Sequence, residues 1–229
     1  MTRRAAITSI AAASGTTANI AVPAGAAALD IAVFGLYLEI TSAITPPDGT
    51  WTNKADLNTS STTRGRIAVY WKRLTGADSG TYNWSFASSF RAAACGLWTG
   101  RATSGDPFDG TPGAQQNTST STSANTSTIP AASGGDSVGF WSNFNGGGTF
   151  NALTNYVEAF DAGVLCMETR DNTAAGSTGT IGPVHTITDF MKGFLGTLAA
   201  AGAGPSPLPP RRARQIVMPT ASQTARYGR

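Results

Sequence analysis

The sequence predicts an all-β protein: an antiparallel β-sandwich of jelly-roll-like plan with an extended C-terminal arm. Three observations carry this expectation. Charged residues make up only 13% of the 229 residues, and Ser, Thr, Asn and Gly supply the polar balance instead, a chemistry suited to packed strands rather than to solvated helices. Gly 27 and Pro 12 cut the chain into short segments, several with apolar and polar residues in alternation. Few segments place Leu, Glu, Lys and Arg at helical spacing, so strands have no competitor. With 41% hydrophobic residues over this length, a sizeable core can be buried.

Taken in order, residues 5–10 (AAITSI) and 16–22 (TTANIAV) read as two short strands around a Ser14-Gly15 turn. The apolar run 29–40 (LDIAVFGLYLEI), bounded by turn clusters, reads as a buried central strand. Pro46-Pro47-Asp48-Gly49 is a loop closed by Trp51. Residues 66–74 and 81–86 alternate on both sides of a Gly/Asp/Ser turn and predict a hairpin. Residues 90–98 form another strand. The Thr/Ser-rich stretch 111–128 reads as an exposed edge strand, because a domain break there would leave each half short of strands. Strands follow at 136–144 and 163–170, with 150–160 open between strand and a turn of helix. Residues 180–199 close the domain as strands; a helix over 188–199 is the alternative, disfavoured by Gly193 and Gly196. The sandwich is therefore expected over 1–199 and the arm over 200–229.

The arm concentrates the charge. Five of the 16 basic residues (Arg211, Arg212, Arg214, Arg226 and Arg229) lie beyond Pro205 with no acid among them, so residues 1–204 hold 11 bases against 13 acids. A basic arm on a mildly acidic body predicts a tether to an acidic surface. Nucleic acid is disfavoured as the partner, since the body has no excess of bases to extend the contact. AGAGPSPLPP favours an extended polyproline-like path. Ordering about 25 such residues costs roughly 1–2 kcal/mol of backbone entropy each, so only a large partner contact would hold them. The expected partner-binding residues are Arg211, Arg212 and Arg214 toward carboxylates, Ile216, Val217 and Met218 toward an apolar groove or sheet edge, and Arg226 with Tyr227. No run approaches about 18 apolar residues, so no helical membrane span is expected.

Catalytic groupings are sparse. His185, the single histidine, lies in a Val/Thr/Ile run and reads as structural, and no G-x-S-x-G elbow occurs. Asp106 and Asp109 flank Pro107 and Gly110 and read as turn chemistry. Glu39, Glu158 and Glu168 are scattered, and no phosphate-binding or dinucleotide motif is present. Cys95 and Cys166 read as small buried thiols without metal spacing. Neither an enzyme nor a cofactor is expected. Trp51, Trp98 and Trp141, near loops, are the residues a sugar-stacking platform would use, while Trp71 and Trp84 are assigned to the core.

Three stretches resemble a family of phage-encoded β-sandwich virion proteins of actinobacterial viruses. They are the Pro46–Trp51 loop, YWKRLTGADSGTYNWSF (70–86), and RAAACGLWTG followed by DPFD (91–109), within a resemblance over roughly 25–170. The resemblance implies a capsid-decorating or minor tail component and transfers no functional residue. Expected partners are the major capsid protein or sister subunits in a dimer or trimer, with host glycan as the tail-protein variant. The expected place is the virion, after synthesis in the host cytoplasm.

Overall fold

The computed structural model describes residues 3–58, 65–117, 119–123, 130–131, 135–144, 146–174, 176–177 and 180–201. Among them there is no helix. The first half of the chain supplies β1 (Arg3–Ala21), β2 (Ile31–Leu38), β3 (Thr52–Leu57), β4 (Arg66–Arg73) and β5 (Thr81–Trp98). These form one five-stranded sheet in the order β1-β5-β2-β4-β3. The second half supplies β6 (Gly113–Gln116), β7 (Ser121–Ser123), β8 (Pro130–Ala131), β9 (Gly135–Asn143), β10 (Phe150–Asn151), β11 (Val157–Asp161), β12 (Leu165–Thr173), β13 (Gly176–Ser177), β14 (Val184–Asp189) and β15 (Met191–Ala199). Its main sheet runs β11-β12-β9-β15-β6, with smaller sheets β10-β14-β7 and β13-β8. All pairings are antiparallel. The expected β-sandwich is present, and each large sheet is built by one half of the chain.

The sandwich core lies between the two sheets. Ile31, Val33, Ile67, Val69, Ala94 and Trp98 of the first sheet meet Val138, Phe140, Leu165, Met167, Phe194 and Leu198 of the second. Gly35 is required at this seam: a Cβ there would overlap the Phe140 ring. β2 is buried at all eight positions, because its other face is covered too. This explains why its sequence is apolar throughout rather than alternating.

That cover is the first departure from expectation. Residues 5–22 are not two strands around a turn. β1 is a single 19-residue strand with register shifts at Arg4/Ile7, Ile10/Ala13 and Gly15/Thr17. Nor do 66–74 and 81–86 pair with each other: β4 lies between β2 and β3, while 81–85 pairs with 17–21 of β1. Residues 81–98 form one 18-residue strand. The β1–β5 ribbon folds back on itself near Ala13–Gly15 and Ser89–Arg91, where the Arg91 guanidinium donates to the Thr17 and Ala13 carbonyls. Its far half lies over the outer face of the first sheet, so Trp84 stacks on Phe34 at 4.2 Å and 10° although the neighbouring pair in the sheet is Phe34–Cys95. Alternation was read correctly, but the partner strand was not: a two-residue period fixes which face is apolar, not which strand lies alongside.

In the second sheet, β15 is fully buried and is a strand, not the alternative helix. The expected edge strand begins as β6, which pairs with β15; residues 118 and 124–129 lie outside the described set. Residues 157–161 resolve to strand. The two halves are joined where β5 ends. Arg101 forms a fully buried ion pair with Asp136 of β9 and donates to the Leu198 carbonyl at 3.3 Å. Ala200 bridges to Arg101, and Ala201 N–H donates to Gly100 O at 2.9 Å. The last described residues, Ala200 and Ala201, are therefore held against Arg101 and Gly100.

Candidate functional site

The partner-binding residues expected from the sequence, Arg211, Arg212, Arg214, Ile216, Val217, Met218, Arg226 and Tyr227, all lie outside the described residues. The other candidates can be placed. His185 is buried: Ile187 N–H and Asn143 Nδ2 lie 3.1 and 3.0 Å from its Nδ1, and its Nε2 is 3.1 Å from Gly163 O. The Ile187 carbonyl also lies 2.9 Å from Nδ1, so both ring nitrogens are held by neighbouring groups. The ring's edge-to-face contact with Phe150 at 4.6 Å completes a structural role.

Asp106 pairs with Lys54 and accepts the Phe108 N–H at 3.0 Å, the expected turn chemistry. It seats Phe108 against Phe194 at 5.9 Å. Cys95 and Cys166 are free and buried, on the outer faces of different sheets. Burial pushes the Cys95 thiol up to about 12, so neither is a ready nucleophile. Trp51, Trp98 and Trp141 do not make a sugar platform, since all three are buried. Trp51 lies 4.8 Å from Tyr82 and 5.1 Å from Trp84. The residues that carry the virion-protein resemblance thus include much of an aromatic core.

One grouping that sequence reading left scattered is assembled by the fold. β11 and β12 form a hairpin through Asp161-Ala162-Gly163, where Asp161 Oδ1 accepts Gly163 N–H at 2.7 Å and Gly163 takes φ +72. This register sets Glu158 directly opposite Glu168. Their carboxylates and the Cys166 thiol have ligand atoms all within 4.8 Å of one another. The hairpin turn was a legible signal for this pairing, but leaving 150–160 unassigned hid it.

Glu168 is fully buried, while Glu158 is exposed. Glu168 accepts Leu153 N–H at 3.0 Å, and the Cys166 thiol donates to its other oxygen at 3.8 Å. Burial first, then the facing Glu158 and nearby Asp161, raises the Glu168 carboxyl to about 7 against the opposing Leu153 bond. The same burial and acids push the Cys166 thiol far up. The trio has the spacing for one cation, with a protonated thiol and a carboxyl that is half protonated near neutrality. Of the two carboxyls only Glu158 meets solvent; Glu168 is buried and held by the Leu153 N–H. Beside it is a cavity of about 270 Å³ lined by Leu153, Thr154, Tyr156, Thr180, Ile181 and Gly182. A separate polar groove of about 510 Å³ is lined by amides and hydroxyls, among them Gln115, Gln116, Asn117, Ser119, Thr120 and Ser121.

No protein-family model, curated protein or solved structure matches this chain.

Proposed function

We propose that this chain is a non-enzymatic structural component of a phage particle, a capsid decoration or minor capsid protein that docks on the shell through its C-terminal arm and stabilises it. The observation that carries the reading is the separation of charge. Within the body, four of the cations are committed to carboxylates of the same chain: Arg66 to Asp56, Lys72 to Asp78 and Asp48, Arg101 to Asp136 and Lys54 to Asp106. The arm holds five arginines and no acid. Its guanidinium groups suit carboxylates on another subunit, and Ile216, Val217 and Met218 suit an apolar groove or sheet edge. Ala200 and Ala201, which precede the arm in sequence, are bonded to the body, as a tether requires. The burial of Glu168 and of the single histidine supports a non-enzymatic role.

A minor tail protein that binds host glycan is the second reading. It is favoured by the amide- and hydroxyl-lined groove at Gln115–Ser121, not by the tryptophans. One experiment separates the two. Particles are assembled with chains lacking 205–229 and analysed by quantitative mass spectrometry. The capsid reading expects a full-length copy number that follows the shell lattice, and loss of the truncated chain from particles. Full occupancy by the truncated chain sinks the anchoring idea; a copy number matched to the tail favours the second reading.

A further inference from the structure

The two large sheets present four edges, and these are not alike. β3 carries Lys54 and Asp56 and a register shift at Asn53/Ala55. β6 is four residues long. β11 is five residues long, with Glu158, Asp161 and a shift at Glu158/Phe160. Short length, charges and bulges are the devices that stop sheet edges from pairing with other chains. β1 is 19 residues long and has no Lys, Arg, Asp, Glu or Pro from Ala5 to Ala21. Among the described residues its outer edge has no neighbouring strand.

The shifts in β1 leave a regular run, Ile7–Ile10, paired with Gly96–Ala93. Ile7 and Ile10 are only partly buried, against the inner and outer apolar clusters respectively. Ser9, Ala11 and Ala13 are exposed and small or uncharged. Over 7–10 this edge has no neighbouring strand among the described residues, half-covered isoleucines and no charge to repel a strand; farther along, the Ala13 carbonyl is taken by Arg91.

We infer that β1, centred on its regular run 7–10, is a self-association edge that pairs antiparallel with β1 of a second copy across a two-fold axis, joining two five-stranded sheets into one. Charge selects this occupant. The arm of this chain is basic, and β1 offers it only Arg3 and Arg4 and no acid. An uncharged strand is instead complementary to itself: in an antiparallel pair each copy presents the same row of N–H and C=O groups to the other. A single strand pair buries little surface beside the roughly 1,200–2,000 Å² of a specific stable interface, so the dimer is concentration-dependent. The inference rests on the sheet edges alone and stands or falls apart from the virion reading.

The test uses the full chain in sedimentation velocity over a wide concentration range, with Ser9→Lys and Ala11→Lys as separate variants. Both positions are exposed, so far-ultraviolet circular dichroism and melting temperature should stay those of the parent. The expected result is a reversible monomer–dimer equilibrium in the parent, weakened at least tenfold by either lysine. Single-cysteine variants along 7–13 locate the axis, because only a residue beside its own copy forms an intermolecular disulfide; Cys95 and Cys166 are buried and stay silent. A chain monomeric at every concentration overturns the proposal. So does a dimer that neither lysine weakens and no cysteine in 7–13 cross-links.

Discussion

The outer faces of the two sheets face the same problem and solve it differently. Over the first sheet, the folded-back ribbon and the 45–51 segment build an aromatic cover: Trp84 stacks on Phe34 and lies 4.6 Å from Tyr70, with Trp51 edge-on at 5.1 Å. Over the second sheet the cover is mixed. Trp141, Phe150 and Leu195 are buried there, but so are Asn143, His185, Glu168 and the hydroxyls of Ser137, Thr173 and Thr197, the last three within 2.7–3.2 Å of their partners. Apolar burial is non-directional and indifferent to protons. A buried polar network depends on every member, and on the charge state of any that titrates. The first cover should therefore fail by losing volume, the second by losing a partner or a proton.

The largest effect expected from this contrast is at Trp84. Trp84→Ala empties the centre of the aromatic cover and should cost about 3–5 kcal/mol, measured by urea unfolding, with the same loss at acidic and alkaline pH. A loss that varies strongly with pH would remove the distinction between the covers. Next is Asn143→Ala, which strips the amide from His185 Nδ1 and from the Ile187 carbonyl, 2.9 Å away. About 0.5–1.5 kcal/mol per lost hydrogen bond is expected, with amide exchange accelerated at 185–187. Uniform acceleration across both sheets would argue against a local network.

The smallest effect, and the one that changes sign with pH, is at Glu168. Its carboxyl rises from the usual 4.5 to about 7 in the fold, so the fold favours the protonated form. The stability this group contributes is fully present below about 4.5 and is lost as pH rises through about 7. Glu168→Gln should flatten that decline, leaving the variant more stable than the parent at alkaline pH. The readout is thermal melting across pH with amide exchange at 153–161. Parallel stability profiles for parent and variant would refute the assignment.

Much of the fold was legible. The low charge, the alternation at 66–73 and 81–86 and the apolar run over β2 sufficed for an all-β sandwich, and turn residues marked most strand ends. The candidate site was less legible. Glu158 and Glu168 stand ten positions apart and meet only through a hairpin with a bulge at Ala159. A shift of one residue would have turned one of them to the opposite face. The tryptophans show the reverse error: nearness to loops suggested exposure, but loop 45–51 folds inward over the sheet.

By itself the sequence determined that the chain forms strands, which faces are apolar, and that positive charge collects in the last 25 residues, because these follow from local residue chemistry. Only the tertiary structure decided that β1 and β5 fold back as one ribbon, that β2 separates β4 from β5, and that Glu168 is buried opposite Glu158. It also decided that β1 is left at an edge without charges. Strand pairing joins residues far apart in the chain, and a period of two leaves the partner unspecified.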